Sequence, residues 1–251
     1  MKPRSLLIGV GVTCFIAFVL VSLPARVITA LLPADLIKIS GISGTLWNGQ
    51  ARLIQVSNVP LTATKWTLHP WQLVIGRLAL SIETQCLGSA VSGDLRLGIT
   101  GAITVSNVDA LGPLAPLASL MKIPQSGGDF SMRIEEVSIK NAWPLSAVGS
   151  VRVGNLPLNI MGVAAGPVGT YEVTFTSDPV PEDGRIVGEM QDLGGPLKLG
   201  GAIFLDPPRN YELSARVKGA PGAPQDLVRG LALLGPADAN GNHELIMSGS
   251  F

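Results

Sequence analysis

Apolar and polar residues alternate with period two through much of this chain, the pattern of strands with one buried face. In Tyr171-Glu-Val-Thr-Phe-Thr, Tyr171, Val173 and Phe175 fall on one face, and Glu172, Thr174 and Thr176 fall on the other. Tyr211-Glu-Leu-Ser-Ala-Arg-Val-Lys repeats the arrangement, with Tyr211, Leu213, Ala215 and Val217 inward and Glu212, Ser214, Arg216 and Lys218 outward. From Phe130 the alternation runs until Glu135-Glu136, where two successive acids break the period and mark a candidate β-bulge. Further strands are predicted over 51–56, 63–68, 77–83, 94–105, 148–153, 197–204 and 243–251.

Two segments do not alternate. Residues 108–121 are apolar and carry Pro113 and Pro116, so they predict at most broken helical turns. In residues 224–234, Gln225-Asp226 precedes Leu-Val-Arg-Gly-Leu-Ala-Leu-Leu and Gly235-Pro236 follows, which predicts a short amphipathic helix. The predicted fold is therefore mainly β: an extended or curled antiparallel sheet with one or two short helices and one N-terminal transmembrane helix. Ser43-Gly-Thr-Leu-Trp-Asn-Gly and Ser92-Gly-Asp-Leu-Arg-Leu-Gly share their spacing, which raises two tandem β-meander halves as an expectation within 37–251.

The transmembrane helix is predicted from residues 5–25, which hold no charge and follow Lys2 and Arg4. At ~1.5 Å per helical residue the stretch reaches ~31 Å, about the thickness of a bilayer's hydrocarbon core. Leu6, Leu7, Phe15, Phe18 and Leu20 would face lipid. A cleaved secretory signal is the competing reading, but its apolar region normally runs only ~7–15 residues before small residues. Leu23-Pro24-Ala25 and Ile28-Thr29-Ala30 are poor cleavage sites. By the positive-inside rule, residues 1–4 stay cytoplasmic, 26–36 form a juxtamembrane linker, and 37–251 lie in the periplasm. The expected location is the bacterial inner membrane, crossed once.

Composition narrows the function. Hydrophobic residues make up 47% and charged ones 14%, while 30 glycines and 19 prolines punctuate the chain, as many short strands and turns require. With 18 basic and 18 acidic residues and no Lys/Arg cluster, nucleic acid is excluded as a partner. The two cysteines, Cys14 in the apolar stretch and Cys86 in the body, leave the exported part without an internal disulfide. Cys86 is expected to be a small buried apolar residue.

Gly41-Ile-Ser-Gly-Thr-Leu-Trp-Asn-Gly-Gln-Ala is followed by Lys65-Trp-Thr-Leu-His-Pro-Trp-Gln-Leu and Gly76-Arg-Leu. This order resembles the type II secretion system protein N family. There an N-terminal anchor precedes a Gly-Thr-Leu-Trp-x-Gly element, a Trp-x-Leu-x-Pro element and a strand-rich body. The resemblance is specific over residues 1 to about 100 and rests on texture beyond. It implies a non-catalytic inner-membrane component or assembly factor of type II secretion, contributing to protein export across the outer membrane. It implies other inner- or outer-membrane secretion components as partners, and kinship with the β-groove lipid-handling proteins related to AsmA. A periplasmic lipid-binding or lipid-transfer groove, with membrane lipid as ligand, is the alternative function.

The candidate structural or docking residues carried by the two elements are Gly44, Thr45, Leu46, Trp47, Gly49, Trp66, Leu68, Pro70 and Trp71. Gly44 and Gly49 bracket Leu46-Trp47 as a strand between tight turns, with Trp47 read as a core residue whose N–H needs a partner. Trp66 and Leu68 share a strand face before Pro70 stops the ladder. An exposed aromatic patch that docks a partner or sits at the membrane interface is the functional alternative.

No catalytic, cofactor or metal site is predicted. His69 and His243 stand 174 residues apart without metal-ligand spacing, and neither a Gly-x-Ser-x-Gly elbow nor a Gly-Lys-Ser/Thr phosphate loop occurs. Glu135-Glu136 would point to opposite faces of a strand, and Glu182-Asp183-Gly184 has the composition of a turn, so neither pair suits a glycosidase.

Overall fold

The structure, a computed structural model, describes residues 11–27 except 13, 16 and 17, and residues 37–250 except 57–58, 99–100, 121–126, 142, 161–162, 168 and 178–183. The chain divides into two units, Met1–Leu87 and Gly88–Phe251.

In the first unit, alternation and turn residues give β1 (Ile37–Ser40), β2 (Ser43–Gly44), β3 (Asn48–Val56), β4 (Val59–Leu68) and β5 (Leu78–Cys86). They run antiparallel in the order β1-β3-β4-β5, and β2 pairs with β3. On β4 the predicted period holds: Thr64 and Trp66 are buried, Leu68 is half-buried, and Lys65 and Thr67 face solvent. A bulge between Thr62 and Lys65, with Ala63 at φ +51°, shifts the register against β5. The buried Thr64 hydroxyl there meets the Thr84 hydroxyl at 2.8 Å, so the irregularity leaves that polar group satisfied. Cys86 is free and half-buried rather than fully buried, because it closes β5 at its end.

The second unit is a meander of β6 (Ser89–Leu97), β7 (Ile103–Pro113), β8 (Asp129–Lys140), β9 (Trp143–Gly154), β12 (Thr170–Ser177), β13 (Ile186–Gly194), β14 (Leu197–Asp206), β15 (Asn210–Gly219) and β16 (His243–Ser250). Sequence neighbours pair antiparallel throughout, except that β10 (Pro157–Ile160) and β11 (Val163–Pro167) form their own two-stranded ribbon between β9 and β12. The break in period at Glu135 is a bulge: Ile134 pairs with Gly149 and Glu136 with Val148, leaving Glu135 extra and exposed beside an exposed Glu136.

The predicted strand 94–105 is two strands, because Gly98 and Gly101 close a turn in which Gly98 N–H donates to the Ala102 carbonyl at 3.1 Å. Residues 108–113, expected to be broken helical turns, extend β7, and the helix begins only at Leu114 (Leu114–Leu120). Pro113 is tolerated because it is the last strand residue, where a missing N–H costs the ladder little. The Ser-Gly-x-Leu-x-x-Gly echo also separates: at 43–49 it makes a turn, and at 92–97 it lies within β6. Glu182 and Asp183 lie outside the described residues.

The predicted helix forms over Gln225–Ala232, with Asp226 in its first turn and Arg229 in its last, as the helix dipole favours. Leu227 and Leu231, one turn apart, are buried with Leu197 of β14 and Val217 of β15, and Tyr171, Leu199 and Leu234 close around them. On β15, Ala215 and Val217 point in while Arg216 and Lys218 point out, as the alternation predicts. Glu172 sits on the polar face of β12, yet its side chain is only 13% exposed because Arg152, at 2.9 Å, and Gln191, at 3.1 Å, cover it.

Candidate functional site

The Gly-Thr-Leu-Trp-x-Gly element is a turn rather than the expected strand. β2 ends at Gly44, where φ is +90° and a Cβ would stand 2.6 Å from the Asn48 carbonyl oxygen, so a side chain is excluded. Thr45 N–H then donates to the Asn48 carbonyl at 2.9 Å, and Asn48 N–H donates to the Thr45 hydroxyl at 3.1 Å. The chain reverses within four residues and presents Leu46 and Trp47 at its tip.

Gly49 allows the turn to be backed by an aromatic ring. It pairs with Trp66 across β3 and β4, and a Cβ on Gly49 would lie 2.7 Å from the indole Cε2, so the ring occupies the space of the missing side chain. From there Trp66 Nε1 donates to the Leu46 carbonyl at 3.2 Å. Trp66 is 8% exposed and packs with the buried Ala25 and Ala51, flanked by Ile39, Ile42, Ile54 and Leu80.

Trp47 is half-buried, and its partner is unexpected. Its Nε1–H donates at 2.8 Å to the carbonyl oxygen of Leu20, in the last turn of the N-terminal apolar helix. Carbonyls at a helix C-terminus lack the usual donor four residues on, and Leu20 also accepts a longer bond from Leu23 N–H at 3.4 Å. Past the helix, Leu46 N–H donates to the Leu23 carbonyl at 2.8 Å, Ala25 N–H donates to the Gly44 carbonyl at 3.1 Å, and Pro24 bridges antiparallel to Thr45. Residues 23–25 thus leave the helix and pair with the turn. On the other side Leu68 N–H donates to the Trp47 carbonyl at 2.7 Å.

Gly44, Thr45, Leu46, Trp47, Gly49, Trp66 and Leu68 therefore form one connected network. Pro70 and Trp71 stand beyond it. Pro70 starts a helix over Pro70–Val74, where its missing N–H and fixed φ are suited to the first turn, and Gly76, at φ +74°, ends it by donating to the Leu73 carbonyl at 3.0 Å. This helix buries none of its residues, and Trp71 is 82% exposed. His69, just before it, holds Nε2 3.2 Å from the Ser81 hydroxyl, and its backbone N–H donates to the Ala79 carbonyl at 2.9 Å.

Of the anchor residues, Phe15, Phe18 and Leu20 are helical and exposed, and Leu6 and Leu7 lie outside the described residues. Among the described residues no helix is long and apolar enough to cross a membrane. A 250 Å³ cavity beside the turn is lined by Ser43, Gly44, Asn48, Gly49, Gln50 and Lys65, which offer hydrogen bonds and one cation but no His, Cys or carboxylate. Among the described residues no group of three or more His, Cys, Asp or Glu side chains could hold a metal ion. Sequence reasoning named the tryptophans, and Leu20 as an anchor residue, but missed the Leu20 carbonyl as the partner of Trp47 and the pairing of Leu23 and Pro24 with the turn; the indole N–H without an evident partner was the available signal.

The type II secretion system protein N family matches residues 35–245 of the chain. A type II secretion system protein N from Aeromonas hydrophila is 27% identical over 260 aligned positions, covering 99% of both chains. One from Vibrio cholerae serotype O1 is 24% identical over 248 positions, covering 94% of both. No solved structure matches the chain.

Proposed function

This chain belongs to the type II secretion system protein N family, and from that membership we propose that it is an inner-membrane-anchored assembly component of the secretion apparatus, acting by binding rather than catalysis. In this reading the apolar N-terminal segment crosses the inner membrane once, and the strands from Ile37 onward stand on the periplasmic side. The observation that carries it is the Trp47–Leu20 hydrogen bond together with the pairing of residues 23–25, which fasten the apolar helix to the β-rich body of its unit. A cleaved leader would have no use for bonds that tie its last turn to the mature fold. Those bonds support retention. The segment from Ser5 to Val21 would reach ~26 Å as a helix, near the short end of what spans a bilayer.

Type II secretion itself supplies the assay. Deleting the gene should lower the amount of secreted enzyme in the medium and retain it in the periplasm, with secretion restored by the full chain. Unchanged secretion, apparatus assembly and subunit levels in the deletion strain would contradict the reading.

A further inference from the structure

The helix Pro70–Val74 has no internal reason to exist. Trp71 is 82% exposed, Val74 77%, Ile75 63% and Leu73 42%, and no residue of the helix is buried. Single exposed apolar side chains are ordinary, but four within five consecutive residues make a patch, and such patches mark surfaces that something else covers. The strand signals on either side did not require it: β4 and β5 could have been joined by a short polar turn.

We propose that Trp71, Leu73, Val74 and Ile75 form a second membrane contact, a foot that enters the headgroup region of the bilayer beside the anchor. This inference rests on the anchored reading above. The position follows from a chain of hydrogen bonds. Leu20, in the last helical turn, accepts from Trp47 Nε1, and the Trp47 carbonyl accepts from Leu68 N–H. Trp71 is three residues further, at most ~11 Å along an extended chain. A segment ending near Val21 is short for a ~30 Å hydrocarbon core, so its end would lie at or inside the core boundary. That draws the Trp47 turn and the foot toward the headgroup layer, roughly 5–7 Å deep on each side.

The chemistry suits that layer. Tryptophan is enriched at membrane interfaces because its apolar body and polar N–H match the gradient there. Between Leu68 and Leu80 the single charged residue is Arg77, immediately after the patch, and no acid lies in this stretch to repel anionic lipid. Gly76 ends the helix, and the Arg77 backbone N–H then donates to the Gln72 carbonyl at 2.8 Å, which fixes the backbone of the one cationic residue two positions beyond Ile75.

The test uses the full chain with Cys14 and Cys86 replaced by Ser, reconstituted into vesicles of phosphatidylethanolamine and phosphatidylglycerol. An environment-sensitive fluorophore is attached at Val74→Cys, at Phe18→Cys for the anchor, or at Gln85→Cys as an exposed control at the far end of β5 in the same unit, and quenched by lipids carrying nitroxides at different depths. The expected result is a blue shift and preferential shallow quenching at position 74, deep quenching at position 18 and none at position 85. Quenching at 18 without quenching at 74 overturns the foot and leaves the anchor standing. Quenching at 74 without quenching at 18 supports the foot and overturns the anchor, and loss of both overturns both. A probe at 74 that is dark to lipid quenchers but shielded in cells by a secretion subunit also overturns the foot in favour of a protein partner. Because these positions are exposed, Trp71→Ser with Val74→Ser should fold normally and abolish the shallow quenching of a probe at Ile75→Cys.

Discussion

The indole N–H of Trp47 donates at 2.8 Å to the carbonyl of Leu20, 27 residues earlier, joining the tip of a β-turn to the end of an apolar helix. The bond gives the indole its partner and gives the Leu20 carbonyl a shorter bond than the 3.4 Å one from Leu23 N–H. Trp47→Phe keeps most of the apolar area but removes the donor. It should cost about 1 kcal/mol of stability, as the loss of one hydrogen bond does, and weaken the exchange protection of the Leu46 and Ala25 amides that pair beside it. Denaturant unfolding of the full chain in detergent, with hydrogen exchange at Leu46 and Ala25 as the local readout, checks it.

Gly49→Ala should be more damaging than its size suggests. The new Cβ would collide with the Trp66 ring, with Cε2 at 2.7 Å, and stand 2.8 Å from the Thr45 carbonyl oxygen. The ring is buried and hydrogen-bonded to Leu46, so it cannot swing away without losing the turn. Overpacking of this kind costs about 1–3 kcal/mol. Thermal unfolding of the variant against Gly200→Ala, where nothing lies within 4 Å of the added Cβ, isolates the steric effect.

In the second unit, Leu227→Ala should lower stability by about 2–5 kcal/mol, because Leu227 is fully buried against Leu197 and Val217. Val228→Ala, one residue on and about half exposed, should cost far less. Denaturant midpoints of the two variants make the comparison.

Two titrating groups give opposite pH dependences. Burial, and then the Asp192 carboxylate, pushes the Tyr171 phenol up to about 12, while its hydroxyl donates to the Leu197 carbonyl at 3.1 Å. A folded value above the unfolded one contributes stability that is present below pH ~10 and lost as pH rises toward 12. Tyr171→Phe should remove that loss and the late phenolate absorbance step. The hydrogen bond from Arg152 holds the Glu172 carboxyl below its usual range, with Gln191 adding to it. Its contribution is present above the unfolded value of ~4.3 and lost as pH falls through the lower folded value. Glu172→Gln should therefore destabilise at neutral pH and converge with the unaltered chain in acid.

Strand faces were the most legible part of the fold. Trp66 and Thr64, and Ala215 and Val217, lie where period-two alternation puts them, and the doubled acid at Glu135-Glu136 marked a bulge. The Leu227–Leu231 stripe between Pro224 and Gly235 likewise carried both its length and its buried face. Local pattern failed where long-range partners decide. The predicted strand 94–105 ran through Gly98 and Gly101, although these close a turn between two strands. Residues 108–113 read as broken helical turns because Pro113 and the following Pro116 outweighed the strand partner β8, which no local window contains. At the candidate site the residue types were evident, but the turn at Trp47 depends on Asn48, on the empty space at Gly49 and on a carbonyl 27 residues away.

The most direct test of the central claim is purification of the tagged full chain from cells at its native level, after membranes are separated and washed in alkaline carbonate. An anchored assembly component stays with the inner membrane through the wash, and other type II secretion subunits co-purify with it in mild detergent. Release by carbonate, with no secretion subunit recovered, would contradict that role.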